Sequence, residues 1–233
     1  VNMKGLQYLV LDEADRMLDM GFQDDINKII KELPGKRQNL LFSATMPGKI
    51  RQLAKKILHE PVEINIAISK PPEKIIQKAF VVYEAQKLPL IKILLRKTPY
   101  KNALVFCSRK QTVKQLTREL KHGKINVAEI HSDLSQSARE NALGAFTAGR
   151  IPVMVATDIL SRGIDIDTID VVINYDVPGD GEDYVHRIGR TGRAGASGTA
   201  ISFCEPEERA YVRDIEKLIG KKIPVRQLSQ LAV

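Results

Sequence analysis

The stretch LVLDEADRM, Leu9 to Met17, changes chemistry between two neighbouring residues. The apolar run from Leu6 to Leu11 reads as a short buried strand, and Asp12, Glu13 and Asp15 follow in a loop at its C-terminal end. The same step recurs downstream. Asn39 to Phe42 runs into Ser43-Ala44-Thr45, and Val153 to Ala156 runs into Thr157-Asp158. Apolar strands that end in polar loops and alternate with helical segments predict an α/β protein with parallel sheets and ligands at the C-terminal strand ends.

Outward from Leu9 the alternation divides into two blocks. Ile26, Ile29, Ile30 and Leu33 recur at helical spacing behind the candidate caps Asp24 and Asp25, and Pro34-Gly35 stops that helix. A second helix enters at Pro47 with Ile50, Leu53, Ala54, Ile57 and Leu58 on one face, and Val62 to Ile66 reads as a strand. The pattern then breaks at Ser69, Lys70, Pro71 and Pro72, which predict a stiff exposed joint. The expected division is therefore a domain over 1–66, a linker over 67–74 and a second domain over 75–233. In the second, strands are predicted at Ala79–Tyr83, Ala103–Phe106, Val127–Ile130, Val153–Ala156, Val171–Asn174 and Thr199–Phe203. Helices are predicted at Pro89–Leu95, Thr112–Leu120, Ser137–Phe146, Asp183–Ile188 and Glu207–Leu218.

Composition narrows the functional classes. The 233 residues are 43% hydrophobic and 27% charged, as in ordinary globular proteins, and no apolar run approaches a membrane span or the pattern of a signal peptide, so the expected location is the cytoplasm. Cys107 and Cys204 are too few for a metal-ligand pattern and read as reduced structural thiols. The net charge of +8 suits a polyanionic partner, and its distribution is uneven. Residues 1–66 carry 10 Lys+Arg against 9 Asp+Glu, a net of +1, whereas residues 74–233 carry 25 against 18, a net of +7.

Several segments have the residue types of nucleotide chemistry. An Asp-Glu pair behind a strand suits Mg²⁺ held through water and a carboxylate that orients the attacking water, although alone it reads equally as a solvated loop start. Ser43-Ala44-Thr45 can lie beside that loop and bond to its carboxylates, or cap the helix at Pro47. In VHRIGRTGRAG, residues 185–195, Arg187, Arg190 and Arg193 recur among glycines that let guanidinium groups approach a ligand, either a transferring phosphoryl group or a nucleic-acid backbone. In VATDILSRGIDI, residues 155–166, Thr157 suits a backbone phosphate and Asp165 a ribose hydroxyl, with helix capping by Thr157-Asp158 the alternative.

Taken in order, DEAD, SAT, ATDILSRGIDI, YDVP and HRIGRTGR resemble the DEAD-box ATP-dependent RNA helicases over nearly the whole chain, with HSDLSQSAR and EKLIGKKIPV nearest the bacterial RhlE-like branch. Arg109 and Ser132 stand where that family commonly has Thr and Gly. The resemblance implies two RecA-like parallel-sheet domains, ATP and Mg²⁺ as cofactors, and RNA bound through its backbone without regard to sequence. Asp12 would serve the Mg²⁺ through water, and Glu13 would activate water. Asp15, Ser43, Thr45 and His186 would couple the domains. Asp165 would meet the ribose, and Arg190 and Arg193 would be arginine fingers. Gln136, Arg139, Thr157 and Gly163 would hold RNA. It also suggests ribosome-assembly or RNA-decay proteins as partners, and no membrane. A phosphate loop GxxxxGK[ST] is expected upstream of the DEAD strand, yet no Gly-Lys here is followed by Ser or Thr. The first domain is therefore expected to be incomplete, the chain N-terminally truncated and a poor ATPase alone. A non-catalytic RNA-binding module and a DNA helicase are the competing readings.

Overall fold

The structure is a computed structural model that describes residues 3–65, 74–97, 100–158, 169–193 and 197–226. The chain divides into two compact units, Val1–Ile68 and Ser69–Val233.

Unit 1 is built from β1 (Tyr8–Leu11), α1 (Ala14–Asp19), α2 (Gln23–Lys31), β2 (Gln38–Leu41) and α3 (Gly48–Ile57). The two strands pair in parallel, Tyr8 opposite Gln38 through Leu11 opposite Leu41. Ala14, Leu18, Ile26, Ile50, Leu53 and Ile57 form its core, packed by Leu11 and Leu41. The strand expected to be buried alternates instead. Tyr8 is 62% exposed and Val10 54%, because only one face of this two-stranded sheet is covered. Asp24 and Asp25 are not caps but occupy the first turn of α2, which starts after Phe22, where negative charge favours the helix dipole. Pro47 precedes α3 with no side-chain cap, so Ser43 and Thr45 are not used there. Val62 to Asn65 form no strand, and Val62 and Ile64 stand exposed without a pairing partner, which a strand requires. Ile66 lies outside the described residues.

Unit 2 holds β3 (Ile75–Val81), α4 (Glu84–Lys97), β4 (Ala103–Phe106), α5 (Lys110–His122), β5 (Val127–Ile130), α6 (Gln136–Thr147), β6 (Val153–Ala156), β7 (Val171–Asn174), α7 (Gly181–Ile188), β8 (Gly198–Cys204), a 3₁₀ turn (Pro206–Glu208), α8 (Arg209–Ile219) and β9 (Val225–Arg226). Every strand pair is parallel, in the order β5-β6-β4-β7-β8-β3-β9. Strands β4, β6 and β7 are buried along their length, as expected of a sheet covered on both faces. Val105, Val155 and Ile173 face α4 and α5, whereas Leu104, Met154 and Val172 face the side of α6.

Two boundaries differ from the sequence reading by more than two residues. Strand β3 begins at Ile75 rather than Ala79, because its whole length pairs with β8 from Ile75 opposite Gly198. Helix α4 begins five residues before Pro89, since Gln86 donates its N–H to the Tyr83 carbonyl (2.8 Å) and its side-chain oxygen accepts from the Tyr83 N–H (2.9 Å). Among the described residues no helix is long and apolar enough to cross a membrane.

Candidate functional site

In unit 1 the carboxylate loop and the Ser-Ala-Thr loop leave neighbouring strands at the same end of the sheet. Phe42 donates its N–H to the Leu11 carbonyl (2.8 Å), and Ala14 donates to the Phe42 carbonyl (3.0 Å), so the loops are stitched by backbone first. Asp15 joins them by side chain. Its Oδ2 accepts from the N–H (2.9 Å) and hydroxyl (3.0 Å) of Thr45, and its Oδ1 accepts from the Arg16 N–H (2.9 Å). Ser43 Oγ accepts from the Asp15 N–H (3.2 Å) and donates to the Thr45 carbonyl (2.7 Å). Burial would raise the Asp15 pKa, but the bonds from Thr45 and Arg16 outweigh it and hold the carboxyl below its ordinary 3.8.

Asp12 and Glu13 stand at the mouth of this network. Asp12 Oδ1 accepts from the Glu13 N–H (2.9 Å). Glu13 caps α1 in the left-handed region, at φ 50° and ψ 46°, a conformation that costs a non-glycine residue on the order of 1 kcal/mol and recurs where side-chain direction matters. Among the described residues no three His, Cys, Asp or Glu converge on a metal-sized site. A lone carboxylate at Asp12 suits a cation that takes one protein ligand and otherwise water and phosphate.

In unit 2 the predicted residues fall at two ends of the sheet. Thr157 directly follows β6 and donates its N–H to the Ile130 carbonyl (3.3 Å). Gln136 and Arg139 lie in the first turn of α6, which is capped by Ser135 accepting from the Ala138 N–H. Arg139 Nη2 donates to the Ser132 carbonyl (2.9 Å), and Gln136 bonds to Glu140 (2.9 Å). These three residues gather at the C-terminal ends of β5 and β6. Arg190 and Arg193 flank Thr191, whose hydroxyl bonds to the Ile169 carbonyl ahead of β7, and so occupy the opposite, N-terminal end. Their Nε groups donate to the carbonyls of His186 (3.3 Å) and Gly189 (3.0 Å), which folds both side chains back over the end of α7. Gly163 and Asp165 lie outside the described residues.

Arg187 does not share that setting. It is 2% exposed and grips Asp158 with two bonds, Nε to Oδ1 (2.5 Å) and Nη2 to Oδ2 (2.6 Å), while Nη1 reaches the Asp176 carbonyl (2.7 Å) and the guanidinium lies 5.4 Å from the centre of the Phe106 ring. Beside it, Lys87 is 1% exposed among Glu205 (2.8 Å), Glu84 (3.0 Å) and Asp176 (3.4 Å). Burial would lower its pKa, but bonds to Glu205 and Glu84 reverse the shift and keep the ammonium charged. The sequence reading singled out neither residue for this role. The only signal was Asp176 in YDVP, which accepts from Lys87 and, through Oδ2, from the Ser108 N–H (2.8 Å).

Comparison with known proteins adds independent findings. Residues 1–53 match the family model described as DEAD/DEAH box helicase, and residues 86–195 match the helicase conserved C-terminal domain. The chain is 44% identical over 223 residues to DEAD-box ATP-dependent RNA helicase 14 of Arabidopsis thaliana, covering 94% of this chain and 36% of that protein. It is 45% identical over 219 residues to the ATP-dependent RNA helicase CshA of Listeria monocytogenes, covering 94% and 42%. The chain thus spans less than half the length of these curated relatives. Among solved structures it resembles S. cerevisiae Dbp5 bound to RNA and ADP BeF3, with a TM-score of 0.88 and 33% identity over 97% of this chain and 61% of that one. It also resembles the E. coli DEAD-box protein SrmB bound to regulator of ribonuclease activity A, with a TM-score of 0.62 and 34% identity over 69% and 95%.

Proposed function

The chain belongs to the DEAD-box ATP-dependent RNA helicase family, and on that premise we propose that it works in ATP-dependent local separation of RNA duplexes. The observation that carries this reading is the bonded contact of Asp15 with Thr45 and Ser43. It ties the loop suited to ATP hydrolysis to a second loop, so that a change at one is felt at the other. A binding module has no use for such a link, nor for a strained Glu13 set beside Asp12.

In this reading Asp12 would hold Mg²⁺ through water, and the ion would supply charge neutralisation on the ATP phosphates. Glu13 accepts the proton of the attacking water. Arg190 and Arg193 swing out from their carbonyl contacts to stabilise charge on the transferred phosphoryl group, and Asp165 accepts from the ribose. Gln136, Arg139, Thr157 and Gly163 hold phosphates and sugars of a single strand, which gives sequence-independent binding that weakens with salt.

The test is phosphate release by the whole protein with and without single-stranded RNA. We expect RNA-stimulated turnover that Glu13→Gln lowers by at least about a hundred-fold, the lower end for a general base. Turnover indifferent to RNA, or stimulated equally by matched DNA, would sink this reading.

A further inference from the structure

The first residues beyond four neighbouring strands continue the sheet. Thr157 donates its N–H to the Ile130 carbonyl (3.3 Å), Cys107 to the Ala156 carbonyl (2.9 Å) and Tyr175 to the Phe106 carbonyl (2.9 Å). With Ile130 opposite Ala156, and Phe106 opposite both Ala156 and Asn174, they form a row in the order His131, Thr157, Cys107, Tyr175. Cys107 and Tyr175 share a core with Val105 and Ile173, two residues earlier, so the alternation of faces runs one residue past those strands. By the same alternation Thr157 follows Val155 and His131 follows Val127, which places imidazole and hydroxyl side by side on the face of α5.

Both side chains are more than nine-tenths buried, and both have an unsatisfied polar atom. His131 Nε2 and Thr157 Oγ1 lack a hydrogen-bond partner. The Asp133 N–H donates to His131 Nδ1 (3.3 Å), which leaves the proton of the neutral ring on Nε2. Glu129 Oε1, at 3.8 Å, is too far to accept it. A buried donor therefore lies beside a buried hydroxyl, and neither is used. Native interiors seldom leave such atoms unpaired without a functional reason.

A hydroxyl has one proton and two lone pairs, whereas a phosphate oxygen only accepts. Thr157 serves a phosphate well when a donor behind it occupies a lone pair and leaves its proton free. We propose that His131 is that donor, a positioning residue that turns the Thr157 hydroxyl toward an RNA phosphate; the inference rests on the reading above that Thr157 meets RNA. As the phosphate arrives, His131 Nε2–H donates to Oγ1 and Oγ1–H donates to the phosphate, so both buried atoms gain partners. The backbone on either side stays fixed, by the Thr157 N–H bond and by the Arg187 grip on Asp158, so the change is a side-chain rotation that uncovers the hydroxyl.

The experiment measures affinity of the 233-residue chain for a fluorescent single-stranded RNA, with helicity checked for every variant. Thr157→Val and His131→Ala are each expected to weaken binding about three- to ten-fold, the worth of one hydrogen bond, and the double variant to be no weaker than Thr157→Val alone. His131→Gln, which keeps an acceptor and a donor, is expected to stay within about two-fold of the parent, while His131→Leu, which fills the space without a donor, behaves as His131→Ala. Multiplying effects in the double variant, or equal affinities for Gln and Leu, make His131 a core residue and overturn the proposal. Unchanged binding by Thr157→Val beside a loss with Arg139→Ala overturns instead the assignment of Thr157 to RNA. Absence of any RNA binding overturns the wider reading.

Discussion

Asp15 and Arg187 each hold a local network together, and they differ in what replaces them. Asp15 accepts two bonds from Thr45 and one from the Arg16 N–H, and no neutral residue of its size accepts as many. Asp15→Asn puts an NH₂ group where one oxygen accepted, so the side-chain tie to Thr45 is expected to loosen while the backbone bonds between the two loops remain. ATP turnover by the whole protein should then fall while RNA affinity stays near that of the parent. The pH dependence follows from the direction of the shift. Because the folded pKa lies below the ordinary 3.8, the contribution of Asp15 is fully present above that value and is lost as pH falls through the lower folded one. Acid titration of the parent should show a loss of stability beginning near pH 4 that is weaker in Asp15→Asn; equal acid sensitivity would contradict it. At Arg187, a lysine keeps the charge but not the planar fork that meets both oxygens of Asp158. Arg187→Lys is expected to destabilise unit 2 by about 1–3 kcal/mol in denaturant unfolding, the cost of leaving buried hydrogen-bonding groups unsatisfied while the charge is kept.

At the scale of elements, the turn that carries Arg190 and Arg193 is fixed by how closely it packs on the start of β8. A methyl group at Gly198 would lie 2.2 Å from the Thr191 hydroxyl and 2.7 Å from the Gly192 nitrogen. Gly198→Ala must therefore displace the turn. Overpacking of this kind costs about 1–3 kcal/mol, and the accompanying shift of both arginines should lower ATP turnover more than RNA affinity. An active Gly198→Ala protein of parental stability would show that the turn is not held by this contact. The same scale shows why the sequence was readable in places and opaque in others. Strands β4, β6 and β7 matched their predicted bounds, since a strand buried on both faces is largely apolar and polar residues mark its ends, and the edge strand β5 matched as well although it carries Glu129. Val225–Arg226 was missed because two residues carry no period, and they are a strand only through pairing with Ala79 and Phe80. Val62 to Asn65 alternate as a strand would, yet nothing pairs with them. Arg187 shares the three-residue spacing of its neighbours, and spacing does not reveal which guanidinium turns inward. The carboxylate and Ser-Ala-Thr loops were legible as neighbours because both follow strands, whereas the left-handed backbone at Glu13 left no trace in the residue type.

Across the whole molecule, charge is allotted by unit, and this makes the RNA reading quantitative. Residues 74–233 carry the net +7 and all the described residues proposed to meet RNA. Binding that releases counterions from single strands should give a linear fall of log affinity with log salt, with a slope of about 0.7 for each phosphate neutralised. Arg139 then has two distinguishable roles. If its guanidinium meets a phosphate, Arg139→Ala should weaken binding and reduce the slope by about 0.7. If it acts through its bond to the Ser132 carbonyl (2.9 Å), shaping the loop ahead of α6, affinity should fall while the slope stays. The side chain is half-buried, with Nη2 bonded to the Ser132 carbonyl and Nε buried without a partner, so the donors that remain for a phosphate are at the η end of the guanidinium. We expect the reduced slope, because a guanidinium has five donors and the bond to Ser132 uses one of them. Titrating RNA binding of the parent and Arg139→Ala from low to high salt decides between the two, and an unchanged slope would reassign Arg139 from contact to support.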